Sequence, residues 1–254
     1  ERERAQGTHF RAVASALAPL QPELSLAEWR PLGSHKLPPT CVALSHDDSL
    51  VLSGGKDNAV LMWDVETAAR TVLRPHWTRS GKSDAQSQAG EILGVAISSD
   101  GTRAASAGRD GLVRLYDVRE GREVAALQGH RGHVTCVSFH KTADTLLSGS
   151  LDRTLKRWEL REMGCLETLF GHQDGVLSLQ SCEGSDEAVS CGADRTARVW
   201  RLQHDTHLMF RAHKGSVDCV ASLGAAGGGG FVTGGQDGAL ALWRTNRKKA
   251  AARA

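Results

Sequence analysis

The sequence predicts an all-β fold built from repeats, and three observations carry that reading. A short unit recurs five times, each copy holding an Asp followed six positions later by an aromatic residue. The copies read SGGKDNAVLMW (Asp57, Trp63), SAGRDGLVRLY (Asp110, Tyr116), SGSLDRTLKRW (Asp152, Trp158), SCGADRTARVW (Asp194, Trp200) and TGGQDGALALW (Asp237, Trp243). Three copies carry a Gly-His or Ala-His pair upstream, at His130, His172 and His213. Self-similarity at a period of roughly 40 residues, with this His and aromatic pattern, marks the blades of a β-propeller.

One repeat, Gly129 to Phe170, shows why each element forms. Val134 to Phe139 (VTCVSF) is apolar and β-branched and reads as a first strand. His140 to Asp144 is a polar turn, and Thr145 to Ser150 is a second strand. Leu151-Asp152-Arg153 is a tight turn before a third strand, Thr154 to Leu160. Cys165 to Phe170 is the fourth strand, on the outer edge. Four short antiparallel strands make one blade of a WD-repeat propeller. A lone blade cannot bury both faces, so blades must stack around an axis.

The whole chain divides accordingly. Residues 1–26 form an N-terminal segment in which Phe10, Val13, Leu17 and Leu20 are spaced as one face of a short helix. The propeller spans 27–246, with blades at about 33–73, 74–127, 128–169, 170–210 and 211–246. Ala27 to Leu32 resembles an outermost strand that would close a ring by joining the last blade. The second blade departs from the pattern. Tyr116 replaces Trp, and a polar insert over 74–91 precedes its first strand. His76 or Gln88 takes the His position there, Gln88 being favoured by spacing, and the polar network of this blade is expected to be incomplete. Gly227 to Gly230 is a flexible turn in the fifth blade, and 247–254 is a basic tail.

The recurring polar residues form sets. They are His35, Ser53, Asp57 and Trp63; His130, Ser148, Asp152 and Trp158; His172, Ser190, Asp194 and Trp200; and His213, Thr233, Asp237 and Trp243. An indole N–H only donates, a hydroxyl donates and accepts, and a carboxylate accepts, so each set can close a buried hydrogen-bonded chain. A Ser, His and Asp together suggest a catalytic triad. Recurrence in blade after blade instead marks architecture, since a catalytic set occurs once. No metalloprotease, nucleophile-elbow or kinase pattern is present, and the glycine run lacks the Lys-Ser/Thr of a phosphate loop. No catalytic residue, metal site or cofactor is expected.

Composition narrows the class further. A chain of 254 residues with 40% hydrophobic content can bury a substantial core. No apolar run approaches a bilayer span, and no signal peptide opens the chain, so no membrane association is expected. The six cysteines lack paired metal spacing, and Cys41, Cys136 and Cys219 fall within apolar first strands as small hydrophobes. Cys182 and Cys191 straddle a turn, with no bridge expected, which fits a reducing compartment. Net charge is only +2, so the placement of charge matters more than its sum.

Certain segments carry a more specific resemblance. ETLFGHQDG (Glu167 to Gly175), AISSDG (Ala96 to Gly101), GSVDC (Gly215 to Cys219), ALWRTNRKK (Ala241 to Lys249) and the insert before the second blade resemble the WD-repeat protein family of the U3 small nucleolar ribonucleoprotein. The similarity runs from about Ala27 to Lys249. It implies a seven-bladed, non-catalytic propeller in the nucleolus. It also implies binding to the box B/C region of U3 snoRNA beside a small kink-turn-binding protein, among proteins of the small-subunit processome, in ribosomal RNA processing. The chain starts at Glu1 and shows five blades, so a fragment lacking two C-terminal blades and a charged N-terminal region is expected.

Basic residues in the turns and in the links between blades are then candidates for phosphate contact: Lys56, Arg109, Arg131, Arg153, Arg195 and Lys214. Trp77 in the insert either stacks on a base or packs on its own blade. LYDVR (Leu115 to Arg119) is close to an ending used by substrate receptors of cullin ubiquitin ligases, which is the alternative reading. A generic peptide-binding scaffold is the third.

Overall fold

The computed structural model describes residues 32–73, 90–140, 144–182, 185–203, 206–223 and 230–244. The chain forms two compact units, Glu1–Leu32 and Gly33–Ala254. All strands among the described residues lie in the second unit, and no helix occurs among them. The expected N-terminal helix, the strand at Ala27, the insert residues His76, Trp77 and Gln88, and the basic tail lie outside the described residues.

Five antiparallel sheets follow one another along the chain. The first blade holds β1 (Pro39–Leu44), β2 (Leu50–Gly55), β3 (Val60–Asp64) and β4 (Arg70–Val72). The second holds β5 (Ile92–Ile97), β6 (Arg103–Gly108), β7 (Val113–Asp117) and β8 (Arg122–Leu127). The third holds β9 (Val134–Phe139), β10 (Thr145–Ser150), β11 (Thr154–Glu159) and β12 (Gly164–Phe170). The fourth holds β13 (Val176–Ser181), β14 (Glu187–Gly192), β15 (Ala197–Arg201) and β16 (Thr206–Phe210). The fifth has three strands among the described residues, β17 (Val217–Leu223), β18 (Gly230–Gly235) and β19 (Leu240–Arg244). The fourth strand of the third blade ends at Phe170, which pairs with Thr154.

The core sits between blades rather than within them. Leu52, Val60 and Leu73 of the first blade pack on Ile92, Val95, Ala104 and Tyr116 of the second. Ala105, Val113 and Leu115 meet Val137, Phe139, Leu146 and Trp158 of the third. Leu147, Leu155 and Leu169 meet Leu179, Ala188 and Trp200 of the fourth. Val189, Cys191 and Val199 meet Val217, Val220 and Phe231 of the fifth. Each aliphatic side chain so buried contributes about 1.5–3 kcal/mol. Alternation along the strands sends one face to the preceding blade and the other to the following one.

Close approach of neighbouring first strands has a sequence cause. A Cβ on Gly94 would come within 2.9 Å of the Thr135 carbonyl oxygen and 3.0 Å of the Cys136 Cα, so β5 meets β9 only through glycine. The Thr135 hydroxyl reaches the next blade and donates to the Val176 carbonyl at 2.7 Å. First strands pack in order, β1 on β5, β5 on β9, β9 on β13 and β13 on β17. No comparable packing joins β17 to β1 among the described residues. Val42 and Leu44 on one end of this series, and Leu240 and Leu242 on the other, are each more than half exposed. Cys219, expected as a small core hydrophobe, is exposed for the same reason: nothing among the described residues covers its side of the fifth blade.

Candidate nucleic-acid interface

The site grows out of the turn between the second and third strand of each blade. The turn Asp folds back on the chain, and its carboxylate accepts the N–H two residues on. Those donors are Ala59, Leu112, Thr154, Thr196 and Ala239, at 3.3, 3.1, 3.0, 3.1 and 3.1 Å. This Asx geometry throws the intervening residue into the left-handed region. Gly111 and Gly238 sit there at φ 80° and 72°, while Asn58, Arg153 and Arg195 take φ of 60°, 71° and 64°. A non-glycine residue in that region costs about 1–2 kcal/mol. Arg153 and Arg195 are therefore held in a conformation that glycine would adopt without strain.

The same carboxylates bind the link that enters each blade. Backbone N–H groups of Lys36, Arg131, Gln173 and Lys214 donate to Asp57, Asp152, Asp194 and Asp237 at 2.9, 3.0, 3.0 and 2.8 Å. Link and turn are thus stapled at one end of the blade. That staple places Arg131 beside Arg153, and Lys36 beside Lys56.

Behind each staple runs a buried hydrogen-bonded chain. In the third blade the Trp158 indole donates to Ser148 Oγ at 2.8 Å, Ser148 lies 2.7 Å from His130 Nε2, and His130 Nδ1 lies 2.9 Å from Asp152. The fourth blade repeats this through Trp200, Ser190, His172 and Asp194 at 2.7, 2.7 and 2.9 Å. The first does so through Trp63, Ser53, His35 and Asp57 at 2.8, 2.8 and 3.1 Å. In the fifth, Trp243, Thr233, His213 and Asp237 follow at 3.0, 2.8 and 3.0 Å. An indole that only donates fixes the direction: the hydroxyl donates to Nε2, and Nδ1–H donates to the carboxylate. Burial pushes the His130 imidazole below its ordinary value, which agrees with this neutral tautomer. Burial alone would raise Asp152, but hydrogen bonds from Thr154, the Arg131 amide and His130 outweigh it and take the carboxyl down to about 2. Asp194 is lowered too, and by the same kinds of donor, His172 and Thr196. Ser148 is fully buried and already takes part in two hydrogen bonds, so its oxygen faces no substrate.

The second blade is wired differently, and its expected His-position residues, His76 or Gln88, lie outside the described residues. Tyr116 Oη meets Ser106 Oγ at 3.1 Å, in place of an indole. Arg114, fully inside the blade, donates to Asp110 at 2.6 Å and so partners the turn carboxylate. Glu123 lies 3.8 Å from the same guanidinium. A buried arginine thus partners the Asp that His partners in the other blades.

All six predicted cations are exposed. Lys56, Arg109, Arg153 and Arg195 stand in the turns, and Arg131 and Lys214 in the links. Adjoining blades touch at this end. His133 Nδ1 bonds the Arg109 carbonyl, and a Cβ on Gly175 would meet the Leu151 side chain at 2.7 Å. Arg109 also pairs with Glu91 at 3.7 Å. Sequence reading missed Lys36 and Arg211, exposed in the links, and Lys156 and Phe170 of the third blade. Lys36 and Arg211 were legible as neighbours of His35 and His213; Lys156 and Phe170 read only as strand residues. Among the described residues no group of three or more His, Cys, Asp or Glu could hold a metal. In the LYDVR segment, Tyr116 is buried and Asp117 accepts the N–H groups of Arg119 and Glu120 at 2.8 and 3.0 Å, so both serve the fold.

Comparison with known proteins agrees with the propeller fold. A β-propeller family model described as "Nucleolar protein 10-like, N-terminal domain" matches residues 29–209. U3 small nucleolar RNA-interacting protein 2 of Homo sapiens is 45% identical over 223 residues, covering 88% of this chain and 46% of that protein. A crystal structure of the RRP9 WD40 repeats aligns with a TM-score of 0.76 and 33% identity, over 86% of this chain and 64% of the other. The structure of U3-55K aligns with a TM-score of 0.74 and 34% identity, over 85% and 63%. The chain spans about half the length of the curated U3 small nucleolar RNA-interacting relatives of Homo sapiens and Mus musculus that it matches. A WD-repeat propeller that resembles U3 snoRNA-interacting proteins, this chain belongs to the nucleolar protein 10-like N-terminal β-propeller family.

Proposed function

We propose that this chain is the propeller of a non-catalytic scaffold in the U3 small nucleolar ribonucleoprotein, acting in the nucleolus in the processing of ribosomal RNA precursor. The observation that carries the reading is the row of cations stapled to one end of successive blades, in a chain that resembles U3 snoRNA-interacting proteins. In this reading Lys56, Arg109, Arg131, Arg153, Arg195 and Lys214 contact phosphates and position the RNA, the box B/C region of U3 snoRNA. A small kink-turn-binding protein supplies part of the joint surface, and processome proteins occupy other faces. Five blades form an open series, and two further blades of a seven-bladed ring complete it.

Phosphate contact releases counterions, so affinity must fall with salt, by about 0.7–0.9 in logarithmic slope for each phosphate neutralised. The test is a salt titration of binding between the full-length protein and a box B/C RNA, with and without the kink-turn protein. A steep negative slope, and tighter binding with the second protein, support the proposal. Salt-independent binding, or binding to the cullin ligase adaptor with no affinity for the RNA, overturns it.

A further inference from the structure

The cations of the turn face are concentrated at the third blade. There Arg131, Arg153 and Lys156 border an open cavity of about 630 Å³ together with Thr168 and Phe170. Phe170 ends β12 with 71% of its surface exposed, a large aromatic ring beside three positive charges. Lys156 is held in place. Its Nζ donates to Thr168 Oγ1 at 2.7 Å, and a Cβ built on Gly129 would lie 3.6 Å from its Cε. The backbone of Arg131 is anchored through its amide, and Arg153 takes a left-handed backbone in the turn beside it. The one acid on the wall, Asp152, already accepts from His130, the Arg131 amide, and the amide and hydroxyl of Thr154. Among the described residues, the position that Phe170 holds at the end of the third blade's fourth strand is taken by Gln128 in the second blade and by Arg211 in the fourth.

We infer that this cavity is a subsite for one unpaired nucleotide, its base stacked on Phe170 and its phosphate held by Arg131, Arg153 and Lys156. An exposed ring beside three cations matches the two faces of a nucleotide, one planar and apolar, one anionic. The inference rests on the RNA reading of this face and adds to it a position where the strand must be single. A duplex offers no free base face, so the subsite discriminates single strand from helix.

The test uses the full-length protein and three labelled probes: a single-stranded oligoribonucleotide, the same sequence in a duplex, and an acidic peptide containing Phe. Phe170→Ala should weaken the single-stranded RNA on the order of ten-fold and leave the salt slope unchanged. Phe170→Trp should retain binding. Arg153→Gly suits the left-handed backbone, so it should keep the fold while lowering the slope by about 0.7. A 4-thiouridine probe should crosslink to the peptide containing Phe170. If Phe170→Ala binds as wild type and the crosslink falls elsewhere, the subsite is wrong, while a steep wild-type salt slope would keep the RNA face. Tighter binding of the duplex or of the acidic peptide also overturns the subsite. Absence of any RNA binding by the wild type removes the underlying reading as well.

Discussion

The backbone N–H of Arg131 donates to the carboxylate of Asp152 at 3.0 Å. Through this bond the buried polar chain of the third blade decides where the exposed cations stand. Asp152 has the His130, Ser148 and Trp158 chain behind it and the Arg131 and Arg153 side chains in front. Architecture and proposed function therefore share one residue.

Asp152→Ala should destabilise the chain by about 1–3 kcal/mol, because it leaves buried donors without an acceptor. The link carrying Arg131 loses its anchor in the same step. Denaturant titration should show the lower midpoint, and RNA affinity measured well below that midpoint should also drop. Unchanged values of both would contradict the staple.

Acid should unfold the protein in two stages. Asp152 has its folded carboxyl depressed to about 2, so the stability it contributes is present above the unfolded value of about 3.9 and is lost as pH falls through 2. His130 is depressed in the folded state, so the unfolded chain takes up its proton first, and stability declines as pH drops below about 6.5. Thermal melts from pH 7.5 to 2.5 should show a shallow fall below 6.5 and a steeper one below 4. A flat profile down to pH 4 in the wild type would exclude the histidine contribution, and His130→Gln should make the first stage shallower, leaving the part due to His207, whose imidazole burial also depresses.

Arg114→Met should destabilise by about 3 kcal/mol, since it strips Asp110 of a partner inside the second blade. Its guanidinium faces inward, so the salt slope of RNA binding should not change. A variant as stable as wild type would show that the second blade does not depend on this pair.

Much of this was legible in the sequence, and the exceptions have physical causes. The strands of the third blade follow from apolar alternation and the fixed interval between Asp152 and Trp158, both local properties. Arg114 was not recognised because an arginine in a strand reads as surface charge; only the neighbouring blade and Glu123 reveal its burial. Phe170 reads as an apolar strand end, and its exposure depends on what fails to cover it. The exposure of Val42 and Leu242 likewise depends on packing between distant repeats, which no local pattern encodes.

Those exposed faces should make this chain self-associate when isolated. Val42, Leu44, Leu240 and Leu242 present apolar surface at the two ends of the blade series. Val42→Lys combined with Leu242→Lys should shift the chain toward monomer in sedimentation with little change in melting temperature. A wild-type chain that is monomeric at high concentration would show that these faces are already covered.

The most direct test of the central claim is crosslinking of the tagged full-length protein in cells, followed by sequencing of the bound RNA. The triple variant Arg109→Glu, Arg153→Glu and Arg195→Glu serves as the comparison, because exposed turn side chains carry little stability. U3 snoRNA should be enriched over bulk RNA with the wild type, with crosslinks centred on box B/C, and the triple variant should lose most of that signal while remaining folded. No enrichment of U3 snoRNA with the wild type, or equal crosslinking by the triple variant, would contradict the account.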